Sequence, residues 1–340
     1  MMDFLAEYGL FLAKTLTLVI AVLVTLIGIV AISLRGKNTP GSIYIENLSE
    51  KMNDIRNNLQ AETLPKEILK KLKKDQKKEE KAKKKQQTNK DAEPASRLFV
   101  MRFEGDIRAS QVHALRETIS AVVEIAQSND EILLILESPG GFVHGYGLAA
   151  SQLQRLRSRH LKLTVAIDKM AASGGYLMAC VANKIISAPF AIVGSIGVIG
   201  QVPNFNRLLE KHNIDIEQHT AGEYKRTLTM FGKNTDKGRH KFQEDLEETH
   251  RLFKNFIAQN RPEVDLGQVS TGEHWYGTDA LQLRLVDELV TSDDYILEKT
   301  KNMQVFEIGY EEKPKLVDKI TGSFAKITER ILAKLMQTVA

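Results

Sequence analysis

An alternation of apolar runs with helical segments begins at Arg97, and it constrains the fold more than any other feature of the chain. Strand-like, mainly apolar runs occupy residues 98–103, 132–136 and 161–167, which is typical of buried strands. Segments of helical spacing separate these runs. Because apolar strands that alternate with helices form mainly parallel sheets covered on both faces, we expect an α/β fold class. Function in such folds lies at the carboxyl ends of the strands.

The same patterns predict the other elements of this region. Predicted helices cover residues 109–126, 144–157, 206–212, 236–259 and 278–283, and shorter predicted strands cover residues 184–187 and 215–220. The longest helix has a stripe of residues with core-facing spacing, namely Phe242, Leu246, Thr249, Leu252, Phe253 and Phe256. The apolar segment 188–202 is rich in glycine, so we interpret it as buried core and loop.

An uncharged apolar run covers residues 16–34 near the N-terminus. About twenty such residues are enough to cross the hydrocarbon of a bilayer. The alternative is a cleaved signal peptide, but the run is too long for one, its leader carries Asp3 and Glu7, and no Ala-x-Ala site follows it. We therefore expect residues 1–35 to form a retained, single-pass N-terminal transmembrane helix.

Residues 36–96 have the composition of a Lys-rich linker, partly helical or disordered. Within it, residues 66–90 hold twelve lysines and four acidic residues, a local net charge of +8. The whole chain has a net charge of +4, so the remainder carries −4 and the folded part has no basic character. The lysines can contact anionic lipid or nucleic acid, but no aromatic residue lies between them to stack on bases. We expect a solvated spacer and no specific nucleic-acid partner.

Basic residues follow the predicted anchor at once, starting with Arg35, which favours a cytoplasmic C-terminal portion. Lys14 lies near the other end of the run, so the membrane side stays open. The C-terminal extension, residues 296–340, contains an amphipathic basic segment over residues 316–335 that fits a membrane surface or a neighbouring subunit. The single cysteine, Cys180, excludes an intramolecular disulfide and a cysteine-based metal cluster, and nothing predicts a metal or another cofactor.

A serine stands between a predicted strand and a helix-compatible run, in Ala172-Ser173-Gly174-Gly175. Such a junction exposes backbone N–H groups and suits a nucleophile. A second loop, Pro139-Gly140-Gly141, follows the apolar run 132–136. In a parallel sheet the two loops meet at one edge, where the N–H groups of Gly140, Gly141 and Gly174 can face an oxyanion. A glycine-rich turn with an incidental serine is the alternative interpretation.

Ser173 needs a base, and none of the eight histidines lies in a setting that marks it as one. The best placed is His144, which follows the Gly140-Gly141 loop. The alternative is a lysine, because an ammonium gives up its proton near neutral pH when it is desolvated or near another cation. Lys225 follows a predicted strand and has Arg226 beside it, so it is the candidate lysine. An exposed Lys-Arg pair is the other interpretation of the same residues.

Four motifs occur in order along the chain. They are Glu137-Ser138-Pro139-Gly140-Gly141, Asp168-Lys169-Met170-Ala171-Ala172-Ser173-Gly174-Gly175-Tyr176, Gly194-Ser195-Ile196-Gly197-Val198 and Gly222-x-Tyr224-Lys225. Together they resemble the signal peptide peptidase A family of membrane serine proteases, peptidase family S49. One departure is Arg284, which stands where that family usually has a glycine before Leu-Val-Asp.

The resemblance implies a site as well as a family. In it Ser173 is the nucleophile and Lys225 the general base of a Ser-Lys dyad, with Ser195 near the lysine ammonium. The backbone of Gly140 or Gly141, together with Gly174, would supply the oxyanion donors.

The resemblance also implies a ClpP/crotonase-like fold over residues 97–295. The expected activity is that of a serine endopeptidase in a bacterial inner membrane, acting on peptides, unfolded protein segments or residual signal peptides. In relatives the serine and the lysine of one site can come from different protomers. Because this chain has one copy of the domain, we expect a homo-oligomer whose sites can be shared between chains.

Two other functions are compatible with the sequence. A crotonase-like acyl-CoA enzyme uses similar glycine-rich oxyanion loops and would not need Ser173. A membrane scaffold with a vestigial site would need neither the serine nor the lysine. Loss of activity in Ser173→Ala would separate the protease from both.

Overall fold

The computed structural model describes residues 2–34, 41–72, 74 and 96–312. The chain divides into two compact units, one of Met1–Ser42 with Glu311–Ala340 and one of Ile43–Tyr310. In the first unit, helix α1 spans Met2–Leu34, and several of its side chains between residues 23 and 34 lie outside the described set. Within the described residues, no helix has both the length and the apolar character needed to cross a membrane. The anchor stays a prediction.

The second unit is built on a seven-stranded sheet and a smaller three-stranded one. In chain order the strands are β1 (Ser42–Asn47), β2 (Arg97–Glu104), β3 (Glu131–Glu137), β4 (Lys162–Ile167), β5 (Met170–Ala172), β6 (Lys184–Ser187), β7 (Ile192–Gly194), β8 (His274–Tyr276), β9 (Glu288–Leu289) and β10 (Gln304–Glu311). The large sheet has the order β1-β10-β2-β3-β4-β6-β9, and its pairs from β10 to β9 are parallel. In the small sheet, β5 pairs with β7 in parallel and β7 with β8 antiparallel. The predicted α/β class with a mainly parallel sheet is confirmed.

Helices connect these strands. After α1 they are α2 (Leu48–Thr63), α3 (Val112–Ile125), α4 (Val143–Ser158), α5 (Gly174–Ala179), α6 (Asn206–Lys211), α7 (Asp236–Asn260), α8 (Leu266–Val269), α9 (Gly277–Gln282) and α10 (Ser292–Lys299). Residues 66–72 are also helical. Most predicted helices agree with these bounds to within a few residues, as sequence patterns allow.

The large sheet separates two hydrophobic cores because successive side chains of a strand point to opposite faces. On β2, Phe99, Met101 and Phe103 belong to the larger core, whereas Leu98 and Val100 belong to the smaller one. Residues of α3, α4, α5 and α7 complete the larger core, and residues of α2 and α10 complete the smaller one. Fully burying one such side chain stabilises the fold by about 1.5–3 kcal/mol. The double coverage explains why β2 to β4 carry apolar side chains on both faces over most of their length.

The folded unit is wider than the segment 97–295 expected from the sequence. Within the predicted linker, β1 joins the edge of the large sheet and Leu48 of α2 is buried in the smaller core. The Ser49 hydroxyl accepts the Val305 N–H at 2.9 Å, which ties this segment to β10. Within the predicted C-terminal extension, β10 pairs with β2. The rest of the predicted extension, residues 313–340 with its basic helix, lies outside the described residues.

One expectation about regular structure was wrong, and another holds for only part of its residues. Residues 215–220, predicted as a strand, form no strand or helix and are exposed. In α7, only Phe253 and Ile257 are buried, and Leu252 of the predicted core stripe is 56% exposed. Phe256 packs against the larger core, and Phe242 and Leu246 lie against Gly200, so the stripe contacts its own chain and Leu252 is its exposed member. The three strands of the small sheet were not predicted, since three residues are too few to show a periodicity.

Candidate active site

Ser173 occupies a sharp turn between β5 and α5. Its backbone torsions are φ 51° and ψ −116°, in a region that side-chain-bearing residues rarely adopt. The turn is held in place by the Ser173 N–H, which donates to the carbonyl oxygen of Gly194 at 2.8 Å. A strained serine between a strand and a helix is the arrangement that presents a nucleophile in strand-turn-helix hydrolases.

The Gly140-Gly141 loop packs directly against this turn. Gly140 has φ 84°, and a Cβ atom at this position would lie 2.7 Å from both the Gly174 nitrogen and the Ser173 Cβ. Only glycine tolerates both the torsion and the approach. A Cβ atom on Gly174 would overlap the ring of Tyr146. The structure therefore brings Ser173, Gly140, Gly141 and Gly174 together.

The three predicted oxyanion donors differ in whether their N–H groups are already hydrogen-bonded. The Gly140 N–H donates to the Ser138 hydroxyl at 3.0 Å, so it is already engaged. Among the residues that the structure describes, the N–H groups of Gly141 and Gly174 make no hydrogen bond. Because an unpaired backbone N–H is unfavourable unless it bonds water or a ligand, these two N–H groups are available to a ligand oxygen.

A buried chain of hydroxyl groups holds the Gly140-Gly141 loop in place. The Ser138 Oγ lies 2.6 Å from the Tyr146 Oη, and Tyr146 donates to the carbonyl oxygen of Asp106 at 2.8 Å. Ser138 and Tyr146 are both fully buried. Burial raises the pKa of Tyr146, against a smaller effect of the Ser138 hydrogen bond, so the phenol stays protonated and donates at neutral pH. No sequence signal pairs Ser138 with Tyr146.

A cavity of about 580 Å³ opens beside Ser173 and Gly174. This volume lies within the range of small-molecule and peptide side-chain sites. Its walls come from α4, α5, α7 and the segment after β7, with the lining residues Gly141, Val143, His144, Tyr146, Gly147, Ala150, Ser151, Ser173, Gly174, Leu177, Gly197, Val198, Ile199, Thr249, Leu252, Phe253 and Phe256. None of these is Asp, Glu, Lys or Arg, so the cavity suits an apolar group.

A second cavity, of about 680 Å³, lies where strands begin instead of end, and includes Glu131 and Lys184. Parallel sheets do not place catalysis at that edge. Its lysines form ion pairs within the chain, such as Lys184 with Glu288. The cavity that contains Ser173 is therefore the candidate active site.

Lys225 does not line the cavity of its own chain. It is exposed, and its N–H donates to the carbonyl oxygen of Gly222 at 3.2 Å, in a segment without helix or strand. His144 does line the cavity, and its ring stacks on Phe142 with a centroid distance of 5.7 Å. In one chain, then, the serine and the glycines meet but the predicted lysine does not join them.

Ser195 follows Gly194, the residue that holds the Ser173 N–H. Its N–H donates to the carbonyl oxygen of Glu273 at 2.7 Å, and its hydroxyl donates to the carbonyl oxygen of Gly272 at 3.4 Å. Within the described ranges 2–34, 41–72 and 96–312, no cluster of His, Cys, Asp and Glu side chains fits a metal ion.

Arg284, the departure from the family pattern, adopts φ 59°. This is the left-handed region that favours glycine, so the turn keeps its shape with an arginine in place. The Arg284 carbonyl oxygen accepts a hydrogen bond of 2.8 Å from Arg261, which is buried and also bonds Asp287. The local turn is intact despite the substitution.

Comparison with known proteins identifies two adjoining matches along the chain. Residues 3–153 match the model "Peptidase family S49 N-terminal", and residues 155–306 match "Peptidase family S49". Among solved structures, the chain is similar to the membrane-bound stomatin-specific protease 1510-N, with 13% identity and a TM-score of 0.44 over 63% of this chain and 98% of that one.

Curated relatives cover nearly the whole chain. The "Probable protease SohB" of Haemophilus influenzae is 50% identical over 93% of this chain and 92% of the relative. The "Probable protease SohB" of Buchnera aphidicola subsp. Acyrthosiphon pisum is 49% identical over 98% of both chains. Both family models match, and about half of the residues are identical to those of these relatives over nearly the whole chain. The chain therefore belongs to peptidase family S49, which includes the SohB proteins as its relatives.

Proposed function

We propose that this protease is a serine endopeptidase in which Ser173 attacks the scissile carbonyl group. One observation carries the proposal: the strained Ser173 lines an apolar cavity of about 580 Å³ together with Gly141 and Gly174, whose N–H groups have no partner in the described chain. Two convergent donors beside a nucleophile suit the oxyanion of an acyl-transfer reaction.

A single base is enough for all the proton transfers of the reaction. The Ser173 oxygen bonds to the carbonyl carbon while its proton passes to the base, and the carbonyl oxygen becomes the oxyanion held by Gly141 and Gly174. The base then gives the proton to the leaving nitrogen as the C–N bond breaks, which leaves an ester on Ser173. Water, deprotonated by the same base, hydrolyses the ester and restores the serine.

We assign the role of base to Lys225, with Ser195 beside its ammonium, on the motif resemblance. Because Lys225 is exposed and outside the cavity of its own chain, the proposal includes a homo-oligomer in which a second copy brings its Lys225 to Ser173. Exposed apolar side chains in the same segment of the sequence as Lys225 support a contact of this kind, since Ile216, Tyr224 and Phe231 are 47%, 48% and 47% exposed.

The proposal places the enzyme on a bacterial inner membrane through residues 16–34. The sequence of this uncharged run supports the proposal, since about twenty apolar residues are enough to cross the hydrocarbon of a bilayer. An enzyme held there would act on peptides, unfolded segments or residual signal peptides. A reporter domain fused after Ala340 would establish the side of the membrane on which the folded unit lies.

Subunit complementation tests the shared site. Ser173→Ala and Lys225→Ala are purified separately and after co-expression, as full chains in detergent, and assayed on an unfolded protein substrate. Each variant alone should be inactive. In co-expressed oligomers, roughly one quarter of the sites combine an intact serine from one chain with an intact lysine from the other, so activity should return.

The other outcomes are equally informative. Two inactive variants with no recovery would place the dyad within one chain. Activity in Lys225→Ala would remove Lys225 as base and leave His144, which lines the cavity, as the next candidate. Activity in Ser173→Ala would favour crotonase-like chemistry, and a wild-type protein without activity from about pH 6 to about pH 10, the span over which a perturbed lysine could titrate, would favour a scaffold.

A further inference from the structure

Helix α4 carries a glycine at position 147 that packing does not explain. A glycine in a helix interior destabilises the helix relative to alanine. A Cβ atom on Gly147 would have no atom within 4 Å. By contrast, a Cβ on Gly145 in the same helix would lie 3.0 Å from the Arg108 carbonyl oxygen and 3.2 Å from the Ala109 Cβ. Close contact accounts for Gly145, whereas Gly147 borders open space.

That open space is the cavity beside Ser173, because Gly147 and Ser173 line it together. Other walls of the cavity are apolar and large, with Leu177 from α5 and with Leu252, Phe253 and Phe256 from α7. No acidic side chain, lysine or arginine lines it. A side chain at position 147 would enter this space and reduce the room left for a ligand.

We infer that Gly147 determines the specificity of this site for a bulky apolar side chain of the substrate. The missing side chain keeps open the volume that such a residue, of the size of leucine, fills next to the scissile bond. The inference rests on the proposed function, since it takes Ser173 as the nucleophile that reacts with the bound substrate. It adds the class of side chain accepted and the residue that sets its size.

Covalent labelling tests this inference without depending on turnover. Two serine-directed peptidyl phosphonates are used that differ only in the side chain beside the phosphorus, alanine or leucine. Their rates of adduct formation on Ser173 are measured by mass spectrometry in the detergent-solubilised full chain. The variants are Gly147→Ala and Gly147→Leu, and the matched control is Leu148→Phe, which adds bulk to α4 at a residue that is 44% exposed and outside the cavity.

The wild-type protein should prefer the leucine probe. Gly147→Leu should lower the ratio of leucine to alanine rates by about tenfold or more, and Gly147→Ala by about threefold, because pocket volume changes of this size have such effects. Leu148→Phe should keep the wild-type ratio. If Gly147→Leu fails to fold, Gly147→Ala decides the question, since alanine at a helical site with open space raises the melting temperature.

The two ways to fail are distinguishable. A wild-type protein labelled on Ser173, with the same rate ratio in the folded Gly147 variants, would overturn this inference and leave the proposed function standing. A wild-type protein that neither probe labels would overturn the proposed function and this inference with it.

Discussion

The hydroxyl groups of Ser138 and Tyr146 lie 2.6 Å apart in the buried interior, directly below the loop that faces Ser173. Because Tyr146 donates its proton to the Asp106 carbonyl oxygen, Ser138 donates to Tyr146 and keeps a lone pair for the Gly140 N–H. Each hydroxyl is therefore fully used. The chain of bonds fixes Gly140, and with it the position of the neighbouring Gly141 N–H.

Tyr146→Phe should lower kcat about tenfold with little change in KM. The substitution leaves the Ser138 proton and the Asp106 carbonyl oxygen unpaired, so the loop that carries Gly141 loses its fixed position. Complete loss of one oxyanion donor lowers kcat by about a hundredfold to a thousandfold, and a displaced donor should cost less. Steady-state kinetics on an unfolded protein substrate measures the effect. The matched control is Tyr295→Phe, which removes a hydroxyl bonded to Thr164 in a different region. Equal effects of the two substitutions would contradict a positioning role.

Gly174→Ala should destabilise the protein by about 1–3 kcal/mol and abolish labelling of Ser173. The new methyl group would overlap the Tyr146 ring, and overpacking of this kind displaces backbone. Gly147→Ala is the matched control, because its methyl group meets open space and should stabilise α4. Urea unfolding of the full chains in detergent gives both free energies. A stable, readily labelled Gly174→Ala would show that the ring does not limit this position.

Arg284→Gly should stabilise the fold by about 0.5–1 kcal/mol without changing activity. Arg284 holds φ 59°, where an arginine is strained and glycine is not. Arg116→Gly on the exposed face of α3 provides the opposite case, since there a glycine should cost about 1 kcal/mol of helix stability. Urea unfolding compares the two variants. Destabilisation by Arg284→Gly would mean that the arginine side chain contributes more than the turn conformation costs.

Asp287→Asn should lower the free energy of unfolding at neutral pH and make this free energy less dependent on pH in the acidic range. Burial opposes ionisation of Asp287, but hydrogen bonds from Arg261 and from the Ile185 N–H outweigh it and hold the pKa of this carboxyl below its usual range. A lowered folded-state pKa gives stability that is present above the unfolded value of about 3.9 and is lost as the pH falls through the folded value.

The free energy of unfolding at pH 7 should fall by about 2–3 kcal/mol, because the buried Arg261, 3% exposed, loses its bidentate partner. Glu263 still lies 2.9 Å from the Arg261 Nε, but it makes no hydrogen bond to it. Urea unfolding at pH 7, 5, 4 and 3 measures the profile. Asp279→Asn, at an exposed site on α9, should follow the wild-type profile. Parallel profiles for Asp287→Asn and wild type would exclude the lowered pKa.

The central strands could be predicted because each is buried on both faces and is therefore apolar over most of its length. The glycine loops around Ser173 could be predicted as well, since each follows an apolar run and parallel strands end at one edge. β1 and β10 could not be placed, because their membership of the sheet depends on pairing between segments far apart in sequence. The strands of the small sheet are too short to show a pattern.

The site was predictable only in part. Ser173 and Gly174 stood out by their local sequence, but the engagement of the Gly140 N–H depends on the Ser138 side chain, which a sequence pattern does not orient. The bond from Ser138 to Tyr146 needs β3, α4 and the segment at Asp106 to meet in space. The open side of Gly147 is likewise a property of α4 and α7 together, and no local pattern contains it.

Mass mapping of a serine-directed phosphonylating probe tests the role of Ser173 most directly. The full-length protein in detergent is incubated with a fluorophosphonate, and the adduct is located by peptide mapping in wild type, Ser173→Ala and Ser195→Ala. We expect one adduct per chain on Ser173 in wild type, the same adduct in Ser195→Ala and none in Ser173→Ala, which should also cleave unfolded protein at least about a thousandfold more slowly. An adduct on another residue, or wild-type cleavage by Ser173→Ala, would contradict the role of Ser173 as nucleophile.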